Sequence, residues 1–157
     1  LPPGTGDIHL SLVQSIPLTG AVVVSTPQDI ALADAKKGVN MFMMDSIKVP
    51  VLGIVENMSY FTPKELPNNK YYIFGKDGGK ALAEQMKIDF LAQIPLVQSV
   101  REASDAGRPA VLQGTTDIAI EYLKMTKKIL TSITKRNANL APTKAVELTN
   151  TKGCSTK

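Results

Sequence analysis

The chain has 157 residues, of which 43% are hydrophobic and 20% are charged, a composition typical of one soluble globular domain. Residues 1–134 carry 13 basic and 13 acidic residues, so the formal charge of +4 arises in residues 135–157, with 5 and 1. This distribution argues against a basic groove for nucleic acid, and no apolar run approaches the roughly 20 residues that span a bilayer. The single cysteine, Cys154, excludes an internal disulfide framework and indicates a reducing, cytoplasmic compartment.

The first segment of the chain contains two glycines and a carboxylate. Gly4 and Gly6 expose backbone N–H groups beside Asp7, a combination suited to a phosphate or a metal, although a surface turn is an equally good interpretation. Asp7, His9 and Ser11 include the residue types of a hydrolase triad, but they alternate along one segment, whereas triads are assembled from distant parts of a chain. We therefore expect no catalysis by that trio.

A strand, a helix and a second strand follow in order. The β-branched run at residues 21–25 predicts a strand buried on both faces of a parallel sheet. Pro27 and Asp29 suit the first turn of a helix, because a missing N–H costs nothing there and a carboxylate complements the positive helix end. The apolar run at residues 49–55 predicts the next strand. The order predicts a βαβ unit with parallel strands.

The remaining segments continue the α/β pattern. A Gly-rich turn at residues 75–79 is expected to open a helix through Met86, and residues 90–95 predict a third strand. A short helix at 99–106 and a long helix from about Thr116 complete a folded unit of residues 1–134. Residues 135–157 show no apolar period and predict a flexible, disordered basic tail.

Two segments of the chain have residue types that are found in ligand-binding motifs. A phosphate-binding G-x-x-x-x-G-K-[ST] loop is absent from the sequence; residues 75–81 are one residue short between the outer glycines, and Ala81 offers no hydroxyl for Mg²⁺. We therefore predict that this loop only starts a helix. Asn57 follows the second strand, where open α/β sheets bind ligands, and its amide offers a donor and an acceptor to a base, although a turn-forming Asn is the alternative.

Seven segments between Leu1 and about Leu112 carry a family resemblance. They are Leu1-Pro2-Pro3-Gly4-Thr5-Gly6-Asp7, Pro17-Leu18-Thr19-Gly20-Ala21-Val22-Val23-Val24, Thr26-Pro27-Gln28-Asp29, Val51-Leu52-Gly53-Ile54-Val55-Glu56-Asn57-Met58-Ser59-Tyr60-Phe61, Ile73-Phe74-Gly75, Ile94-Pro95-Leu96 and Arg101-Glu102-Ala103-Ser104-Asp105-Ala106-Gly107-Arg108-Pro109. In this order they resemble the Mrp family of iron–sulfur cluster carrier ATPases, relatives of MinD. The resemblance implies a doubly wound parallel sheet of P-loop NTPase type, of which this chain is the C-terminal half.

The resemblance also implies roles for individual residues. Gly4 would lie near the γ-phosphate of ATP, and Asp7 near Mg²⁺ and the attacking water. Four further positions would border or lie near the adenine: Asn57, Pro95, Leu96 and Asp105. No residue of this chain is assigned as a metal ligand.

This sequence departs from the family pattern in two ways. The phosphate-binding loop lies upstream in family members, so we expect the chain to be a segment of a longer or cleaved protein and to be inactive in ATP hydrolysis alone. Many members carry a Cys-x-x-Cys pair after the Tyr-Phe, where this chain has residues 62–67. Neither Thr62 nor Lys64 can replace a thiolate, which leaves iron–sulfur cluster binding in the usual manner in doubt.

The resemblance implies ATP, a second copy of the chain and iron–sulfur apoproteins as partners, with neither nucleic acid nor membrane among them. One alternative is a MinD- or ParA-like positioning ATPase, which would use its nucleotide switch on a membrane or DNA. The other is a non-catalytic fragment that only pairs with another subunit.

Overall fold

Three parallel strands organise the chain. The computed structural model describes residues 1–2, 4–63, 65–112, 114 and 116–146. The elements along these residues are α1 Asp7–Ser15, β1 Ala21–Ser25, α2 Asp29–Met43, β2 Val51–Phe61, α3 Gly78–Met86, β3 Phe90–Leu96, α4 Gln98–Asp105, a 3₁₀ turn at Ala110–Leu112 and α5 Asp117–Asn139. None of the helices described here is both long and apolar enough to cross a membrane.

The strands lie in the order β1-β2-β3, and both neighbouring pairs are parallel. Val23 of β1 pairs with Ile54 of β2, and Ile54 pairs in turn with Phe90 of β3. Parallel neighbours need a crossover connection, which α2 supplies between β1 and β2 and α3 supplies between β2 and β3. The predicted βαβ unit is confirmed, and a second one follows it.

Helices cover both faces of this sheet. Successive residues of a strand point to opposite faces, so the buried Ile54 packs with Leu82 of α3 and Leu32 of α2, whereas the next residue, Val55, packs with Ile118 of α5. The two clusters are separated by the sheet itself. The predicted doubly wound α/β architecture is confirmed.

Two elements differ from the sequence interpretation. The second strand continues to Phe61, although the apolar run ends at residue 55, because β3 offers a pairing partner along the polar stretch. The helix α1 was not predicted, since its sequence has only a weak apolar stripe. Val13 of α1 packs against Phe42 and Ile47. Tertiary contacts with α2 and the turn after it therefore stabilise this helix, although its apolar residues lack a clear helical period.

The ordered chain also extends beyond the expected boundary at Thr134. Helix α5 continues to Asn139, and the Arg136 guanidinium donates to the Ala141 carbonyl at 2.8 Å and to the Thr143 hydroxyl at 2.7 Å. The Val146 N–H then donates to the Val13 carbonyl at 2.9 Å. Residues 140–146 are therefore attached to α5 and α1. Residues 147–157 of the predicted tail, with Cys154, lie outside the described residues.

Candidate functional site

A cleft of about 880 Å³ lies at the carboxyl edge of the sheet, where β2 and β3 end. Its walls come from the ends of both strands, the loop after β2, and the starts of α4 and α5. Its lining includes Tyr60, Phe61, Pro95, Leu96, Thr116 and Glu121. Clefts of this size at strand ends are the usual ligand sites of open α/β folds.

The β2–β3 ladder is interrupted at this edge. Asn57 pairs with Ile94, and the next pair joins Phe61 to Leu96, so residues 58–60 of β2 lie opposite Pro95 alone. A proline has no N–H to contribute to the ladder, so a bulge opposite it wastes no donor. The register pairs Asn57 with Ile94, next to Pro95, whereas Leu96 pairs with Phe61. Pro95 and Leu96 line the cleft, and Asn57 is not among its lining residues.

The side chain of Asn57 is half-buried at this bulge. Its Oδ1 accepts from the Met58 N–H at 3.0 Å, which fixes one end of the amide. Met58 has a positive φ of 52°, a conformation that L-residues with side chains rarely adopt. The Asn57 oxygen is thus committed to the backbone, while its Nδ2 group remains a potential donor to a ligand.

A buried carboxylate stands immediately before Asn57. Glu56 is fully buried and accepts three hydrogen bonds, as a buried charge requires. Its Oε2 accepts from the Gly79 N–H at 2.7 Å, and its Oε1 accepts from the Ser59 hydroxyl at 2.5 Å and from the Gln93 amide at 3.1 Å. The same Gln93 nitrogen donates to Asp77 Oδ1 at 2.8 Å. The network joins β2, β3 and the start of α3.

This network settles the role of the Gly-rich loop at residues 75–79. The predicted helix does begin there, at Gly78, but its amino end is already occupied by the Glu56 carboxylate. A Cβ on Gly79 would lie 3.2 Å from Glu56 Oε2, so the close approach depends on glycine. A phosphate bound there would meet a buried negative charge, and this loop is therefore no phosphate site.

The two residues with predicted catalytic roles lie away from the cleft in this structure. Gly4 has a φ of 90°, and Asp7 is exposed in the first turn of α1. Thr5, between them, lines a separate shallow hollow with Lys37 and Met44, at the carboxyl-terminal end of α2. That end of α2 leads into the amino end of β2. Asn57 lies next to Pro95 across the β2–β3 ladder, but neither Gly4 nor Asp7 is among the residues that line the cleft.

His9 belongs to the core. It is 5% exposed, its ring meets Phe42 edge-on at 6.4 Å, and its Nδ1 has no hydrogen-bond partner among the described residues. Asp7 and Ser11 are exposed on α1, and helical residues two positions apart do not face each other. The trio forms no triad, as the sequence interpretation expected.

Asp105 lies on the exposed surface of α4. Its Oδ2 accepts from the Arg101 guanidinium at 2.8 Å, and it does not line the cleft. The carboxylates that do line the cleft include Glu102 and Glu121. The hydrogen bond from Lys124 to Glu121, at 2.7 Å, and the charge of Glu121 raise the pKa of Lys124. This acidic lining suits the uncharged part of a ligand better than its phosphates.

The loop after β2 begins with Thr62 and Pro63 and continues from Glu65; Lys64 lies outside the described residues. Tyr71 of the segment after the loop pairs with Phe61 through reciprocal backbone hydrogen bonds of 2.8 Å. Within the described part of the chain, no group of three or more His, Cys, Asp or Glu side chains is placed to hold a metal ion.

The sequence interpretation missed the hydrogen-bond network of Glu56, Ser59 and Gln93, which surrounds Asn57. The available signal was a carboxylate directly after an apolar run, because a carboxylate is a costly residue to bury without partners. Its three donors come from positions 3, 23 and 37 residues away along the chain. Only the folded chain shows that they converge.

Comparison with known proteins gives a consistent picture. A protein-family model described as "ParA: NUBPL iron-transfer P-loop NTPase" matches residues 1–134. The iron–sulfur cluster transfer protein NUBPL of Dictyostelium discoideum is 50% identical over 131 residues, which cover 83% of this chain and 40% of the relative. The iron–sulfur cluster carrier protein of Haemophilus influenzae is 48% identical over 134 residues, covering 85% and 35%. The chain thus spans well under half the length of these curated relatives.

Two solved structures are also similar. A nucleotide-binding protein from Archaeoglobus fulgidus, in complex with ADP, is 42% identical with a TM-score of 0.60, covering 69% of this chain and 43% of that chain. The cell division ATPase MinD of Pyrococcus furiosus is 22% identical with a TM-score of 0.52, covering 72% and 43%. At 22% identity, the likeness to MinD shows the fold alone.

Proposed function

The chain belongs to the ParA-type family of NUBPL iron-transfer P-loop NTPases, and from this premise we propose that it is the carboxyl-side part of an adenine-nucleotide-binding iron–sulfur cluster carrier. One observation supports the proposal: Asn57 pairs with Ile94 in the β2–β3 ladder, next to Pro95, and Pro95 and Leu96 line the cleft. The relative from Archaeoglobus fulgidus, whose structure contains ADP, supports a nucleotide as the ligand.

In this proposal the cleft receives the adenine base. The Asn57 Nδ2 group donates to a ring nitrogen of the base, because its Oδ1 is held by the Met58 N–H. The backbone of Pro95 and Leu96 borders the ring, and Asp105 lies farther out on α4. The acidic lining of the cleft supports this orientation, since it would repel the phosphates.

ATP hydrolysis belongs, in this proposal, to a longer protein that includes the chain. Backbone N–H groups and a lysine of a phosphate-binding loop stabilise phosphoryl transfer, and this sequence contains no such loop. Gly4 and Asp7 would take their places near the γ-phosphate and Mg²⁺ in that protein. Strand β1 lies at the edge of the sheet, and its Val24 is 61% exposed. This exposure supports the proposal that a further strand pairs with β1 in the longer protein.

The carrier role rests on the names of the relatives, and the cluster itself would be cargo. We do not propose cluster ligation by residues 62–67, because none of them supplies a thiolate. We further propose a homodimer that serves iron–sulfur apoproteins in the cytoplasm, a reducing compartment that suits the single cysteine.

The test replaces Asn57 by Asp in the protein encoded by the complete reading frame. The new carboxylate keeps an acceptor for the Met58 N–H but removes the side-chain donor. We expect the Kd for ADP, measured by isothermal titration calorimetry, to rise about tenfold or more. The control is Asn137→Asp, on the exposed surface of α5. An unchanged Kd in Asn57→Asp would remove the proposed base contact.

A second measurement tests whether ATP hydrolysis requires the longer protein. The 157-residue chain alone is expected to release no phosphate from ATP with Mg²⁺, whereas the longer protein is expected to do so. Phosphate release by the purified chain would show that the missing loop is not required, and the proposal of a partial site would then be wrong.

A further inference from the structure

The bulge in β2 holds an unfavourable backbone conformation next to the proposed base contact. Met58 has a φ of 52° and its side chain is exposed, so packing of that side chain does not explain the conformation. A residue other than glycine keeps such a φ only where its surroundings enforce it, and such residues concentrate at functional sites. The surroundings of Asn57 and Met58 therefore need an explanation.

Glu56 and Ser59 bracket these two residues. The Ser59 hydroxyl donates to Glu56 Oε1 at 2.5 Å, closing a hydrogen-bonded loop around Asn57 and Met58. Both bracketing side chains are fully buried. In a regular strand, residues three apart point to opposite faces, so this contact forms only when the backbone between them is bulged.

The hydrogen-bonded pair of Glu56 and Ser59, called the bracket below, also bonds to residues outside β2. Glu56 Oε2 is held by the Gly79 N–H at 2.7 Å, and its Oε1 also accepts from Gln93 at 3.1 Å. A carboxylate held from the start of α3 and from β3 cannot follow a change in β2 without breaking these bonds. The bulge is thereby tied to the rigid part of the sheet.

From this geometry we infer that Glu56 and Ser59 are positioning residues, which act through Asn57 to select the base of the bound nucleotide. The inference rests on the proposed function, because it gives Asn57 a ligand to recognise. The bond from the Met58 N–H to Oδ1 fixes the orientation of the amide, so that its Nδ2 group is the donor that we assign to the base. A donor fits an acceptor nitrogen of adenine, whereas the corresponding ring nitrogen of guanine carries a hydrogen. Base selection therefore depends on the bulge.

The test compares Ser59→Ala with Ser25→Ala in the protein of the complete reading frame. Ser25 is a matched control, since it is also buried at a strand end but donates to the Thr26 carbonyl. We expect Ser59→Ala to lower the ratio of the Kd for GDP to the Kd for ADP by about tenfold, and Ser25→Ala to leave it within about twofold. General destabilisation would weaken binding of both nucleotides equally and leave the ratio unchanged.

A second readout needs no nucleotide. Amide hydrogen exchange at Met58 is expected to accelerate about tenfold in Ser59→Ala and not in Ser25→Ala, because the bracket no longer holds the Met58 N–H on Asn57. If Ser59→Ala does not fold, Ser59→Cys retains a weak donor. It should give intermediate values for both readouts, and a ratio and an exchange rate equal to those of the wild type would overturn the inference.

The outcomes separate this inference from the function on which it rests. Asn57→Asp could lower the ratio of the Kd for GDP to the Kd for ADP while Ser59→Ala leaves it unchanged. In that case Asn57 recognises the base without the bracket, and the positioning role is wrong. If Asn57→Asp leaves the ratio unchanged, the proposed base contact fails, and Met58 exchange still decides whether Ser59 holds the bulge. Equal ratios and equal exchange rates in Ser59→Ala and Ser25→Ala would overturn the inference entirely.

Discussion

Two substitutions of Glu56 should separate the contribution of its charge to the stability of the fold from the contribution of its hydrogen bonds. Glu56→Ala leaves two buried donors, the Gly79 N–H and the Ser59 hydroxyl, without their acceptor. The half-buried Gln93 amide loses one acceptor but keeps Asp77. Glu56→Gln keeps one oxygen for the Gly79 N–H and turns an amide towards the others. The Ser59 hydroxyl can accept from that amide, but the Gln93 amide nitrogen cannot.

The magnitude follows from these contacts. A buried donor without a partner costs about 1–3 kcal/mol, and relief of the buried charge offsets part of the loss in the alanine variant. We expect Glu56→Ala to lower the free energy of unfolding by about 3–5 kcal/mol and Glu56→Gln by about 1–2 kcal/mol. The first value is a large part of the 5–15 kcal/mol typical of a domain.

Urea denaturation, monitored by far-ultraviolet circular dichroism, measures the free energy of unfolding of both variants. A shift of the midpoint without a change of slope reports stability alone. Glu84→Ala, on the exposed surface of α3, is the control and should change the free energy of unfolding by less than about 0.5 kcal/mol. If Glu56→Ala costs less than about 1 kcal/mol, or less than Glu56→Gln, the donors are not held as described and the reasoning is refuted.

Three further predictions concern the scaffold. Gly53→Ala should lower the free energy of unfolding by about 2 kcal/mol or more, because Gly53 has a φ of 149° and a Cβ there would collide with the Asp89 carbonyl; an unchanged urea midpoint would contradict this. Leu91→Ala, at a site 2% exposed, should cost about 2–5 kcal/mol in the same assay, and a loss below about 1 kcal/mol would show that the site collapses around the change. Arg136→Ala should accelerate amide exchange at Val146, because the Arg136 bonds hold the turn after α5; equal exchange in the variant and the wild type would show that the Val13 contact suffices.

Much of the fold was readable from local patterns. The β-branched run at residues 21–25 correctly predicted strand β1. Its predicted burial on both faces is only partial in the structure, since Val24 is 61% exposed. Asp29 is the first residue of α2, as predicted, whereas Pro27 precedes the N-cap residue Gln28 and lies outside the helix. The short helix predicted at residues 99–106 is α4, Gln98–Asp105. These signals are short-range, so they survive without knowledge of the tertiary structure.

The helix α1 and the end of β2 were not readable in the same way. The apolar residues within 7–15 do not follow a regular helical spacing, and this helix depends on packing of Val13 against Phe42. Residues 56–60 look like a loop because they are polar, yet they remain in β2 since each buried polar group finds a partner elsewhere. Pairing and burial between distant segments decide such cases, and no local window contains them.

The amino-acid sequence by itself determined the α/β class, the order of the elements and the family, because these depend on residue types at short spacings and on ordered segments along the chain. Only the tertiary structure decided that Asn57 lies beside Pro95, that Glu56 occupies the amino end of α3, and that Gly4 and Asp7 stand apart from the cleft. Those three facts depend on strand register and on bonds between distant residues, which are properties of the folded chain.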